Sequence, residues 1–217
     1  MTFGAAECSL RGMQHKRIFF SGPCGRLQGL YRPFEKSRAA VVVCHPHPQF
    51  GGTMNNKVVY WMARAFESLD CTVLRFNFRG VEQSEGHWDE GAGETEDAAA
   101  ALDWLHAENP DVPLWLAGFS FGSYAGLKAA RQDGRVERLF AVAPAVNLWD
   151  FSFMQGDARP LTVVAGTSDT IVPYTAIAAA TRLQDEAQLH TINDAGHFFD
   201  EHRNELAEAL LADLEPV

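Results

Sequence analysis

Gly118-Phe119-Ser120-Phe121-Gly122 lies between the apolar run Leu114-Trp115-Leu116-Ala117 and a helix-forming stretch, Ser123 to Ala130. The junction predicts a strand, a sharp turn and a helix in immediate succession. A serine on so tight a turn occupies strained backbone. A side chain two residues to either side would collide with the neighbouring strand and helix, so positions 118 and 122 need to be small. A chain that carries this junction must place a strand end where a helix can leave it at once. The turn then pushes the Ser120 hydroxyl out at the top of a sheet.

The rest of the chain supplies such a sheet. Lys16–Phe20 and Arg26–Tyr31 flank Ser21–Gly25 as an antiparallel hairpin. Ala39–Cys44, Cys71–Phe76, Leu139–Ala143 and Leu161–Gly166 are apolar runs of the kind expected of strands covered on both faces. Gln188–Ile192 is a further strand. Helices are predicted from about Asn56 to Ser68, from Thr95-Glu96-Asp97 to Asn109-Pro110, from Tyr174 to Gln184, and from near Phe198 to Leu214. The stripe Val58, Val59, Met62, Ala65, Phe66 and Leu69 marks the first of them. Strands that alternate with helices mean an α/β fold: a doubly wound, mostly parallel sheet with helices on both faces and the hairpin at an antiparallel edge. No repeat, low-complexity tract or linker divides residues 1–217, which are expected to form one domain.

Composition narrows the function. The net charge of −10 disfavours a nucleic-acid groove or an anionic membrane surface, both of which want a basic face. The apolar runs stop short of the ~20 residues a membrane span needs. The N-terminal Met1–Cys8 lacks a basic start and apolar core, so no signal peptide is expected. Cys8, Cys24, Cys44 and Cys71 show no metal spacing; Cys44 and Cys71 sit in or beside apolar strands, as reduced thiols of a cytoplasmic protein would. Neither nucleic acid nor membrane is the expected partner, and nothing in the sequence marks an oligomeric state.

A serine hydroxyl is a weak nucleophile until a base takes its proton and a third group orients that base. Asp169, in Gly166-Thr167-Ser168-Asp169-Thr170-Ile171-Val172-Pro173, follows one buried strand, and His197, in Asp194-Ala195-Gly196-His197-Phe198, follows the last. Both loops belong to the strand edge that carries Ser120, in the order serine, acid, histidine. A helix cap is the alternative role for Asp169, and Asp150 is the alternative acid. His15, His106 and His202 read as surface residues, His190 as structural and His87 as part of an acidic loop. A developing oxyanion needs two backbone N–H groups. Phe121 supplies one at the start of its helix. In His45-Pro46-His47-Pro48 the prolines have none to give, which leaves His45 and His47. Two histidines also admit a metal site, but no Asp, Glu or Cys ligands accompany them.

Together these residues resemble the α/β-hydrolase superfamily over nearly the whole chain. Ser120, the Gly-x-x-Asp-x-x-Val-Pro run at Asp169 and the Gly-His at His197 match its triad positions. Arg75–Ser84 resembles its Asp-x-Arg-Gly-x-Gly-x-Ser stretch, with Asn77 and Val81 departing from it. His45–Pro48 with Gly51–Lys57 resembles small bacterial hydrolases of the dienelactone-hydrolase-like branch. That likeness implies His47 as the second oxyanion donor, and Ser120 in place of cysteine removes the dienelactone substrate. Only Val146–Arg159 separates two strands where many relatives insert a cap, so an open, capless site is expected, walled by loop aromatics. Phe50, Met54, Trp88, Trp149 and Phe198 are candidates for its apolar pocket. Phe199 is a further candidate, and Phe119 reads as core. The resemblance implies a serine esterase acting on small or medium acyl esters or thioesters through an acyl-enzyme, with no cofactor. Acyl transfer, amide or peptide hydrolysis, and a non-catalytic ligand-binding role are the alternatives.

Overall fold

The computed structural model describes residues 14–214; Cys8 and the N-terminal stretch weighed above lie outside them. Eight strands form one sheet: β1 (Lys16–Gly22), β2 (Gly25–Arg32), β3 (Ala40–Cys44), β4 (Thr72–Phe76), β5 (Leu114–Phe119), β6 (Val136–Val142), β7 (Leu161–Gly166) and β8 (Ala187–Ile192). Their order across the sheet is β1-β2-β4-β3-β5-β6-β7-β8. The hairpin pairs antiparallel, as does β2 with β4, and all later neighbours run parallel.

Four helices connect strands, α1 (Lys57–Glu67), α2 (Ala92–Glu108), α3 (Phe121–Arg131) and α4 (Tyr174–Thr181), and α5 (Arg203–Leu211) follows the last strand. Successive strand residues serve opposite faces. Ala40, Val42 and Cys44 pack with α2, α3 and α4, while Val41 and Val43 pack with α1 and α5. Both faces are apolar because both are covered, as the uninterrupted apolar strand sequences imply.

Two helix starts differ from expectation. Helix α2 begins at Ala92, ahead of Thr95. Gly91 (φ 88°) turns the chain in, and the Glu94 carboxylate accepts the Gly91 N–H at 2.8 Å and the Asp89 N–H at 3.0 Å. Asp97 therefore lies past the first turn, buried, with both its oxygens on the Arg79 side chain. Helix α5 begins at Arg203, because Phe199 (φ 52°) and Glu201 (φ 67°) adopt left-handed backbone that a helix cannot include.

Between β6 and β7 the chain makes no α-helix, only a 3₁₀ turn at Ser152–Met154. Among the described residues no cap domain is inserted between β6 and β7. Among the described residues no helix is long and apolar enough to cross a membrane.

Candidate active site

Ser120 is the first element of the site. It sits between β5 and α3 with φ 54° and ψ −118°, and its N–H donates to the Val142 carbonyl at the end of β6 at 2.9 Å. The two glycines of the turn have distinct reasons. A Cβ on Gly118 would lie 2.4 Å from the Gly122 carbonyl oxygen, inside the turn itself. A Cβ on Gly122 would lie 2.4 Å from the Cys44 carbonyl oxygen and 2.5 Å from that of His45, on the neighbouring strand and its loop. The junction closes only with hydrogen at both positions.

The structure brings Ser120, His197 and Asp169 together. His197 Nε2 lies 3.1 Å from Ser120 Oγ, and His197 Nδ1 lies 2.7 Å from Asp169 Oδ2. The His197 and Asp169 loops are stitched to each other where the Ser168 N–H donates to the Ala195 carbonyl at 3.0 Å. Asp169 also plays the capping part considered as its alternative, but with its other oxygen. Oδ1 accepts the Ile171 and Val172 N–H groups, each at 2.8 Å. Burial pushes the Asp169 carboxyl up; the hydrogen bonds from His197, Val172 and Ile171 outweigh it and hold the pKa below the ordinary carboxylate value. An ionised carboxylate at Oδ2 accepts a hydrogen bond from Nδ1–H, which keeps the proton on Nδ1 and leaves the Nε2 lone pair facing Ser120.

Asp150, the alternative acid, turns instead to the Ser152 N–H and hydroxyl, each at 2.8 Å. His15 pairs with Glu67 and His190 with Asp213, both at 2.9 Å. His202 pairs with Glu205.

The His45–Pro48 loop divides the work of its two histidines. His45 is fully buried. Its Nε2 accepts the Phe78 N–H at 3.1 Å, so Nδ1 carries the proton and donates to the Pro46 carbonyl at 2.6 Å. Both ring nitrogens are used, and burial lowers the pKa to about 3, which keeps the ring neutral. His47 has its carbonyl tied to the Phe50 and Gly52 N–H groups, at 3.1 and 3.0 Å, and its Nδ1 accepts the Gln49 N–H at 3.2 Å. Phe121 begins α3, where the first N–H groups have no carbonyl one turn back to bond. The His47 and Phe121 rings stand 5.1 Å apart, so the two loops that could supply an oxyanion pair meet beside Ser120.

The pocket candidates separate. Phe50, Trp88 and Trp149 gather on the His47 ring at 4.8, 4.4 and 6.2 Å. Phe198 lies on the other flank, 5.2 Å from the His197 ring, with the Lys57 ammonium over it. Met54 is buried, its N–H on Asn77 Oδ1 and its carbonyl on the Arg75 guanidinium, a place that shapes the loop. Phe199 and Phe119 are both wholly buried core residues; for Phe199 this corrects the pocket reading. Two residues near the site were overlooked in the sequence. Tyr124 stacks 4.7 Å from Trp149, and its position one turn after Ser120 was the available signal. Asn147 donates to the Ile171 carbonyl at 3.1 Å, a contact between distant loops that no local pattern marks.

The pattern of residues 40–157 matches the model of the α/β-hydrolase fold family. The chain belongs to this family. An uncharacterized protein of Rickettsia prowazekii is 37% identical over 205 residues, spanning 89% of this chain and 86% of that protein. The structure of an α/β serine hydrolase homologue from Coxiella burnetii is 37% identical, with a TM-score of 0.88 over 94% of this chain and 99% of that one. A Xanthomonas campestris structure, described as a member of the α/β serine hydrolases without lid, is 36% identical, with a TM-score of 0.85 over 93% and 94%.

Proposed function

We propose that this α/β-hydrolase is a serine esterase that cleaves carboxylic esters or thioesters of small to medium acyl groups. One observation carries the reading: an unbroken relay from Asp169 Oδ2 through His197 to Ser120 Oγ, at 2.7 and 3.1 Å, on a strained turn at the open edge of the sheet. Its likeness to proteins described as serine hydrolases supports it.

In this reading Ser120 Oγ attacks the acyl carbon as His197 Nε2 takes its proton. The Phe121 and His47 N–H groups receive the oxyanion. His197 returns the proton to the leaving oxygen or sulfur. Water, activated by the same imidazole, then releases the acid from Ser120. Asp169 holds the tautomer and stabilises the imidazolium. No metal or organic cofactor enters the chemistry. The protein works on a small-molecule acyl substrate in the cytoplasm; the unpaired Cys24, Cys44 and Cys71 fit a reducing compartment.

The test is labelling with a fluorophosphonate and turnover of p-nitrophenyl acetate, each compared with Ser120→Ala. The wild type should label once and turn over, and the variant should do neither. Equal labelling and turnover in the variant would overturn the reading. Preferential acyl transfer to added alcohol or amine over water would point to an acyltransferase.

A further inference from the structure

On the face that carries α2, α3 and α4, one crossover lacks its helix. Parallel neighbours are ordinarily joined by a helix that covers the sheet between them. Here β6 and β7 are joined through Pro144–Pro160 with a single 3₁₀ turn, and the sheet flank between α3 and α4 is left as a groove of about 310 Å³. Its floor is Ala141 and Val163, and its sides are Leu127 of α3 and Ile177 of α4. The volume falls at the small end of what ligand cavities occupy.

We propose that this groove is the acyl subsite, which takes the extended, uncharged aliphatic chain of the ester held at Ser120. The inference rests on the esterase reading above and adds the substrate class to it. None of the three relay residues lines the groove. Two lining residues make the junction. Pro144 follows Val142, whose carbonyl holds the Ser120 N–H, by two residues. Trp149 is a wall of the groove and also packs 5.1 Å from Phe121 and 6.2 Å from His47, the two residues offered to the oxyanion. The groove then descends away from the site: Leu127 lies two turns of α3 below Ser120, about 10 Å along the helix.

Direction and chemistry decide which part of the ester goes there. The leaving oxygen must face His197 Nε2 to be protonated. Phe198 and Lys57 stand on that flank. With the leaving group toward His197 and the oxyanion on the Phe121 and His47 N–H groups, the acyl substituent takes the remaining direction, and Trp149, packed against the His47 and Phe121 rings, links the site to the groove. The lining is mostly apolar and includes no Lys, Arg or His; its polar members are Asp150, Ser152, Gln155, Thr181 and Gln184. An anionic acyl end has nothing there to pair with. Leu183, on the groove, and Leu148, beside Trp149, leave about two-thirds of their surface in water, 66% and 64%. Two such leucines beside a groove are what an apolar ligand would cover.

The experiment has two arms. In the first, the octyl fluorophosphonate adduct is crystallised: Ser120 Oγ bonds to phosphorus, fluoride leaves, and the octyl chain reports the subsite. In the second, kcat/KM is measured for p-nitrophenyl acetate, p-nitrophenyl octanoate and octyl acetate, in the wild type and in Ala180→Trp, which places an indole in the groove from α4. Expected is an octyl chain lying against Leu127 and Val163. The wild type should gain at least about tenfold from acetate to octanoate, and Ala180→Trp should lower that ratio about tenfold. An octyl chain lying along Phe50 and Trp88, a ratio untouched by the indole, no gain on octanoate, or a gain on octyl acetate instead would each overturn the subsite. Labelled Ser120 with the chain elsewhere defeats the subsite alone; absence of labelling defeats the esterase reading and the subsite together. Thermal melting checks that Ala180→Trp is folded, and Ser152→Trp, at the exposed edge of the same groove, replaces it if it is not.

Discussion

Asp169 performs two tasks with two oxygens, and substitutions can separate them. In Asp169→Asn the amide oxygen can keep the Oδ1 position and the bonds from Ile171 and Val172, each now 2.8 Å. Its NH2 then replaces Oδ2 opposite His197 Nδ1, where two donors cannot face each other. His197 must carry its proton on Nε2 instead, which faces Ser120 Oγ and can no longer accept. Loss of the working tautomer is worth about 10⁴-fold in kcat in serine hydrolases. The cap, in contrast, only exchanges charge-assisted bonds for neutral ones, about 1 kcal/mol each and so about 2 kcal/mol in all. That predicts a fall in Tm of about 6 °C for a chain this long. Asp169→Ala removes both acceptors and leaves two turn N–H groups unpaired, about 4 kcal/mol and about 12 °C. The assay is a pair of measurements on each variant: kcat with p-nitrophenyl acetate and Tm by calorimetry. Both variants should lose activity alike, and Ala should melt well below Asn. An Asn variant with more than a tenth of wild-type kcat would refute the tautomer argument, and equal melting of the two variants would refute the division between oxygens.

Three further outcomes follow from the same geometry. His47 has φ −52°, which proline tolerates. His47→Pro should therefore delete the N–H donor without moving the loop and lower kcat by about 10²–10³ beyond His47→Ala, which keeps the N–H; similar kinetics in the two variants would remove His47 from the oxyanion site. Gly122→Ala forces a methyl against the Cys44 and His45 carbonyls and should cost about 3 kcal/mol or more, measured by urea unfolding together with loss of turnover; a variant as stable and active as wild type would contradict the packing. The buried His45 ring is neutral in the fold, with its pKa lowered to about 3. The unfolded chain binds that proton below about pH 6.5 and the folded one does not. Its stabilisation is thus complete above pH 6.5 and declines as pH falls toward 3, by about 1.4 kcal/mol per pH unit. His45→Gln should be less stable at pH 7 with a shallower acid slope, and an unchanged slope in urea melts would exclude His45 as its source.

The strand order of functional residues was legible because it depends on local physics. The Gly118–Gly122 turn must be tight wherever it occurs, Asp169 follows an apolar strand run that only a covered parallel sheet explains, and His197 follows the last strand before the final helix. The helix starts at Ala92 and Arg203 were not legible. The first is set by the Glu94 carboxylate folding back on Gly91 and Asp89, the second by left-handed backbone at Phe199 and Glu201. Neither device has a hydrophobic period.

The sequence by itself thus determined the α/β class, the strand edge at which Ser120, Asp169 and His197 lie, and their order along the chain, because turn sterics and hydrophobic periodicity act between near neighbours. Tertiary structure alone decided the rest. It assigned one Asp169 oxygen to His197 and the other to the turn. It locked the His45 tautomer through Phe78, 33 residues away. It sent Phe199 to the core while Trp88 and Trp149 met at His47. The short Val146–Arg159 connection showed in the sequence only as a missing cap; in three dimensions the same brevity uncovers a sheet flank beside the site. Those outcomes depend on which distant surfaces come within a few ångströms of one another, and no local pattern carries that information.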